Sequence, residues 1–363
     1  MKKITSMILA LVFAVSLIGS ASAKTLKIQL TFPKTSYDGQ IVKMWTDRVT
    51  KLTRGELKFE LLSVGEVVGL KETIEAVDKG LVDGGAAWTH YWSGLHPAAM
   101  LFGSPVAGGG IGLSTKSWLA WYFDNGGKAL YDRLWDEMGM NVKGFVMASS
   151  GPEALGWFKE PINNMADFRK YKFRTPPGIP GQTYKDIGVA SVAMGGGDIL
   201  PALEAGTIDA AEWCCPKPDM VFGLHKVLKN YYLQGLHQVV VNADFYLNGS
   251  KYKKMSAIEK KALEVAANAS LSKSMSYRIY ENGKALAELT TKHGVILQDT
   301  PADYFPAYMA AAKKSLETNA AKNPFFKKVW DSQKAFADIA VPFWSGSQMS
   351  NAKLGMAHAA TLK

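Results

Sequence analysis

Arg174 is the side chain in this sequence best placed to do chemistry. In the run Lys172-Phe173-Arg174-Thr175-Pro176-Pro177-Gly178 it stands at the end of a short strand, immediately before a proline-rich turn. A guanidinium projecting from such a rigid element can grip a carboxylate through two parallel N–H···O bonds. A surface ion pair is the alternative reading of the same motif. Catalytic constellations are missing: the sequence has no Gly-x-Ser-x-Gly elbow, no His-Glu-x-x-His pair and no Gly-x-x-x-x-Gly-Lys-Ser/Thr loop. Six histidines are dispersed without a pair at metal-ligand spacing along a helix, so a zinc enzyme has weak support. Gly108-Gly109-Gly110 lacks the strand and helix context of a dinucleotide site and reads as a turn. The only cysteines, Cys214 and Cys215, are neighbours. They read as two buried thiols acting as small hydrophobes, with a vicinal disulfide as the alternative.

The elements that must hold these residues follow from periodicity. Thr25 to Leu30 alternates as a strand, Phe32-Pro33-Lys34 turns, Tyr37 to Leu52 is an amphipathic helix, and Leu57 to Leu62 alternates again, giving β-α-β. A helix from Leu70 to Asp78 stops at Gly80 and yields to Leu81-Val82-Asp83 as a strand, with Trp88 behind it. The same module returns with Asp198 as N-cap, a helix through Leu203 and Glu204, the stop at Gly206, and Thr207 to Trp213. Ala76 to Asp83 lies over Ala202 to Asp209 without a gap, so two similarly built lobes are expected. In open α/β sheets ligands sit beyond the carboxyl ends of the strands, which would set the two tryptophan-bearing turns across a cleft. Chance likeness of short helices is the alternative.

Lys143 to Ala148 and Val239 to Leu247 read as strands that carry the chain between lobes. Ser256 and Glu259 have the spacing of a capping box, opening a proline-free helix to about Lys292, about 55 Å long and longer than one lobe. From Pro301 onward shorter helices are expected, and Phe325, Phe326, Trp330, Phe336 and Ile339 read as core or dimer face. The fold class is therefore α/β, a two-lobed binding-protein architecture. Its parts are a signal segment (1–23), a first lobe (24–148, completed by about 244–255), a second lobe (149–243), a lobe-spanning helix (256–292) and a C-terminal helical region (293–363).

Composition narrows the function classes. Lys2 and Lys3, the uncharged apolar run Ile8 to Ile18 and the triplet Ala21-Ser22-Ala23 read as a cleaved export signal, and no other stretch approaches the ~20 apolar residues of a membrane span. The net charge of +10 favours anionic small molecules or an acidic partner surface. Nucleic acid is not an expected partner, because the lysines are scattered and no Arg/Lys-rich run exists.

The runs Phe173-Arg174-Thr175-Pro176-Pro177-Gly178 and Gly206-Thr207-Ile208-Asp209-Ala210-Ala211-Glu212-Trp213, with Gly65-Glu66-Val67-Val68 and Ala154-Leu155-Gly156-Trp157-Phe158, resemble the solute-binding subunits of tripartite ATP-independent periplasmic (TRAP) transporters. The likeness runs over nearly the whole chain beyond the signal. The Glu212-Trp213 pair resembles the subgroup that binds 2-oxo or 2-hydroxy monocarboxylates, such as pyruvate or lactate, with a metal cation. The resemblance implies that Arg174 holds the ligand carboxylate and that Glu212 and the Trp213 carbonyl coordinate the cation. Two positions depart from the subgroup, a glutamine becoming Glu153 and a glutamate becoming Gln238, which conserves two carboxylates and one amide. Such a first shell suits a hard cation, Na⁺ or Ca²⁺.

Trp213, Trp88 and Tyr91 are candidates for the cavity walls, each equally readable as core packing, and Phe32 and Lys34 are further candidates from the turn after the first strand. The resemblance also implies a periplasmic location, a membrane permease of separate small and large subunits as partner, and a homodimer in which C-terminal helices swap. No catalytic activity is expected. The rival readings are a metal-free dicarboxylate or sugar-acid binder, a sensor module, and an exported enzyme.

Overall fold

The computed structural model describes residues 23–176 and 178–361. The export signal read at the N-terminus and Pro177 therefore lie outside the described residues. No helix among the described residues is long and apolar enough to cross a membrane.

The strands, in chain order, are β1 (Lys24–Leu30), β2 (Leu57–Leu62), β3 (Gly84–Trp88), β4 (Val142–Ser150), β5 (Gly156–Phe158), β6 (Lys172–Thr175), β7 (Ala190–Ala193), β8 (Ala210–Ala211), β9 (Asn230–Tyr232), β10 (Val241–Asn248) and β11 (Ile296–Gln298). They form two sheets, ordered β2-β1-β3-β10-β4 and β11-β9-β5-β8-β6-β7. In the first sheet β1 runs parallel to β2 and β3, while β10 is antiparallel to β3 and β4. In the second, β6 runs parallel to β7 and β8.

The helix Tyr37–Leu52 starts where Ser36 accepts a hydrogen bond from the Gly39 N–H, an N-cap that satisfies one of the free donors of the first turn. Its buried stripe of Ile41, Val42, Trp45 and Val49 follows the helical period and covers the first sheet. There the Trp45 ring lies 3.9 Å from that of Phe245, between ring centroids.

The repeated module is repeated in its hydrogen bonds. The Leu81 and Val82 N–H groups donate to the Ala76 carbonyl, and those of Thr207 and Ile208 donate to the carbonyl of Ala202. Asp83 N–H donates to the Lys27 carbonyl and Asp209 N–H to that of Lys172, while the Lys27 and Lys172 N–H groups return bonds to the Asp83 and Asp209 carboxylates. Gly80 (φ 74°) and Gly206 (φ 67°) take the left-handed conformation that ends each helix and that a side chain would strain. Leu81 to Asp83 therefore form this turn, and the strand expected there begins at Gly84. Asp198 lies in the first turn of the helix Gly196–Glu204, and Gly195 takes the cap position assigned to it.

β4 and β10 pair with each other inside the first sheet, so the chain crosses between sheets in the segments after Ser150 and before Val241. The long helix, Ala257–Lys292, opens with the expected capping box between Ser256 and Glu259. It packs on β4 and the helix Tyr37–Leu52 at one end and on the helix Pro216–Phe222 further along, so one rod braces both sheets. Beyond it the expectation of short helices fails. β11 joins the second sheet, and two long helices follow, Tyr304–Lys322 and the 37-residue Pro324–Ala360, because Asn323 and Pro324 cap a continuous apolar pattern. Phe325, Phe326 and Trp330 are core, whereas Ile339 is 78% exposed.

Asp244 on β10 is fully buried and accepts hydrogen bonds from Thr89, Tyr131 and Tyr246. Burial outweighs those donors and pushes its carboxyl up to about 7. The folded chain thus holds a proton that the unfolded chain releases near pH 4, and stability declines as pH rises from about 4 to about 7. Urea denaturation at pH 5 and pH 8 should show roughly 2–3 kcal/mol of this loss in the wild type and not in Asp244→Asn.

Candidate functional site

Arg174 and Glu212 meet because β6 and β8 are parallel neighbours in register, Arg174 opposite Ala211. Phe173, one residue before Arg174, packs into an aromatic cluster with Phe158, Phe168 and Tyr184, which fixes the strand and turns Arg174 to the other face. The Arg174 Nη1 donates to the Glu212 carboxylate at 2.5 Å and to the Glu212 carbonyl at 2.8 Å, while Nε and Nη2 donate to the Met194 carbonyl. Its guanidinium also faces the Trp213 ring, with Cζ 5.4 Å from the centroid. Arg174 is 5% and Glu212 1% exposed, so this is a buried, hydrogen-bonded ion pair rather than a surface one.

Burial is the largest influence on the Glu212 carboxyl and raises it, but the Arg174 guanidinium and His237 together more than offset it, leaving Glu212 below the usual carboxylate range. His90, pushed down to about 4 by burial, is neutral at physiological pH and adds little to that balance. Glu153 differs. Burial, reinforced by Cys214 and Glu212, holds its carboxyl well above the usual range.

The crossing segments bring in the remaining polar groups. Glu153 follows β4 and Gln238 precedes β10, and the Glu153 N–H donates to the Gln238 carbonyl at 3.0 Å. The donor atoms of Glu153, Glu212 and His237 converge within 4.8 Å of one another. Glu153 Oε2 is buried without a hydrogen-bond partner, and Glu212 Oε2 and His237 Nε2, also buried, have only each other, 3.4 Å apart and poorly aligned, an arrangement that leaves acceptor capacity unused. Two carboxylates, with Gln238 lining the same cavity, are hard oxygen donors that fit a sodium or calcium ion, and the His237 imidazole is the softer member of the cluster.

The turn carrying Glu212 and Trp213 is anchored from behind by Asp219. Its carboxylate accepts from the Cys214 and Cys215 N–H groups, from Trp157 Nε1 at 2.8 Å and from Tyr231 at 3.0 Å. The Trp213 ring stacks on Phe222 and presses against Gly196, where a Cβ would lie 2.6 Å from the ring. Cys214 and Cys215 are free thiols.

Arg174, Glu153, Glu212, Trp213, Gln238, Trp88 and Tyr91 all line one cavity of about 110 Å³. Phe32 and Lys34 do not. Phe32 packs on the first core, and the Lys34 ammonium is engaged on the exposed rim by Glu66 at 2.9 Å. Sequence reasoning missed His237, His90, Asp38 and Arg278. The signal for Arg278 was present, since Ser270, Ser274 and Arg278 form a polar i, i+4 stripe on the buried face of the long helix. His237 stands directly before Gln238, in a loop whose path only the fold determines.

The sequence profile of bacterial extracellular solute-binding protein, family 7, matches residues 30–323. A monocarboxylate 2-oxoacid-binding periplasmic protein of Nostoc sp. is 31% identical over 294 residues, which is 80% of this chain and 77% of the relative. A TRAP transporter solute-binding protein from Bordetella bronchiseptica superposes with a TM-score of 0.85 at 24% identity, covering 94% of this chain and 100% of that one. It is a mixed-occupancy dimer with copurified calcium and picolinate in one active site and the other site apo. A TRAP periplasmic solute-binding protein from Pseudoalteromonas atlantica, with bound sodium and pyruvate, gives a TM-score of 0.83 at 23% identity, covering 92% of this chain and 99% of that one.

Removing the anchor should be costly. Asp219→Ala leaves four donors without their acceptor, and chemical denaturation should show a loss of about 2–4 kcal/mol, with Asp219→Asn losing less.

Proposed function

The chain belongs to the bacterial extracellular solute-binding proteins of family 7, as a TRAP solute-binding protein, and from that membership we propose that it binds a small 2-oxo or 2-hydroxy monocarboxylate together with a sodium or calcium ion. The observation that carries this reading is the convergence of Arg174, Glu153 and Glu212 on one small cavity, with a ring nitrogen of His237 within 4.8 Å of both carboxylates. A short acid offers little apolar area, so its affinity must come from charge-assisted contacts in a desolvated site. Arg174 takes the carboxylate, and Glu153, Glu212, Gln238 and the Trp213 carbonyl hold the cation. When bound, the cation supplies a positive charge shared by the acid and the two glutamates. Trp88, Tyr91 and Trp213 close the walls.

The two sheets act as lobes, the first covering about 24–148 and 244–255 and the second about 149–243, and closing them excludes water from the acid. The closed form is then the surface that a two-subunit membrane permease reads, in the periplasm. A homodimer through the C-terminal helix is supported by its exposed apolar residues, among them Ile339, Phe343, Leu354 and Met356. A soluble chain rarely leaves so many on one helix without a partner.

Two measurements test this. Calorimetric titration with pyruvate, lactate and 2-oxobutyrate, with chelator, sodium or calcium, should show cation-dependent binding that weakens at least about 100-fold in Arg174→Ala, on the order of 3 kcal/mol. Binding indifferent to both cation and Arg174 sinks the reading and favours the metal-free dicarboxylate or sugar-acid alternative. Light scattering should give twice the chain mass for the mature protein and a single mass once the segment after Pro342 is removed.

A further inference from the structure

The acid cavity has a larger neighbour. A groove of about 730 Å³ lies beside it, and among the described residues only Glu153 and Arg278 line both. Beyond Arg278 the groove is walled largely by apolar side chains, including Leu233, Leu236, Val239, Met275, Ile279 and Leu286. The acid cavity, at about 110 Å³, is smaller and proportionally richer in polar lining than the groove.

Arg278 is also held unusually firmly for a long side chain. It is 5% exposed, and it comes from the middle of the helix that braces both sheets. Nη2 donates to Asp38 Oδ1 at 3.2 Å, and Nη1 to the sulfurs of Cys214 at 3.5 Å and Cys215 at 3.6 Å. The guanidinium carbon sits 5.2 Å from the ring centroid of Tyr37 and 5.5 Å from that of Trp88. An arginine stacked between aromatic faces and tied at both Nη atoms loses most of its freedom to swing aside.

We infer that Arg278 is the chain-length gate of the acid site, the side chain that confines this protein to short acids by sealing the polar cavity from the apolar groove. The inference rests on the acid-binding reading above. Every methylene added to a short 2-oxoacid needs room, and the groove on the far side of Arg278 offers it. With Arg278 in place such a tail meets a desolvated guanidinium that it cannot pair, which disfavours binding. With Arg278 shortened, the same tail enters an apolar channel, where each methylene typically changes discrimination by about tenfold or more. Glu153, the other shared residue, belongs to the cation cluster and is not free to take this role.

The test compares the affinities of pyruvate and 2-oxohexanoate for the full mature chain in calcium-containing buffer. The wild type should prefer pyruvate. Arg278→Ala should lower the pyruvate-to-2-oxohexanoate affinity ratio at least tenfold, and Arg278→Met, which keeps the stem without the charge, at least threefold in the same direction. Adding Met275→Trp, one helical turn before Arg278 on the groove wall, to Arg278→Ala should narrow the groove and return the ratio toward the wild type, a reversal that general loosening of the fold would not produce. A ratio within twofold of the wild type in either folded arginine variant overturns the gate while leaving the acid site standing. If the wild type binds neither acid, the acid-binding reading fails, and the gate with it.

Discussion

The site is organised by one buried ion pair. Arg174 and Glu212 are both almost fully removed from water, and neither charge is tolerable there alone. The parallel register of β6 and β8, the aromatic packing under Phe173 and the four-donor anchor on Asp219 all serve to hold that pair in place. The pair is incomplete by design, in that one Glu212 oxygen is spent on Arg174 and the other faces His237 and Glu153 without a hydrogen bond. Unspent acceptor capacity in a low-dielectric cavity is what makes a cation attractive there.

The two copies of the helix–glycine–strand module explain why the cavity lies between the sheets. Each copy uses the same carbonyl, at Ala76 or Ala202, to close its turn and the same aspartate, at position 83 or 209, to tie its strand to the neighbouring parallel strand. Each then delivers a tryptophan, Trp88 or Trp213, to the cavity. The crossing segments supply Glu153 and Gln238. Polar groups of the cavity are therefore carried by the covalent links between sheets, so a change in their relative position must move Glu153 and Gln238 as well as the walls.

Much of this was legible in sequence because local rules and tertiary structure agree. The helix Tyr37–Leu52, the strand Leu57–Leu62 and the capping box at Ser256 occur where periodicity and cap chemistry put them. The strand expected at Leu81 failed because the helix-ending glycine needs a further turn before the chain can enter the sheet, and the β3 segment Gly84-Gly85-Ala86-Ala87 has no alternating pattern to announce it. Lys34 failed for a different reason, since its solvent-side partner Glu66 lies 32 residues away. His237 could not be placed by motif, because its role depends on which loops the fold brings together, whereas Arg278 was marked by its polar stripe but not by the cavity that the stripe faces.

Charge arithmetic explains why acid and cation belong together. Arg174 is paired with Glu212 and Arg278 with Asp38, so both arginines lining the cavity already have a carboxylate partner. Glu153 is left over, and burial keeps its ionised form unfavourable. An acid entering alone brings another negative charge beside it and must share Arg174 with Glu212. A cation entering alone meets two carboxylates and an imidazole but leaves its remaining coordination to solvent, which the small cavity hardly admits. Together they would satisfy each other, the cation offsetting negative charge that the acid adds beside Glu153, so the affinity of such a site would be a property of the pair.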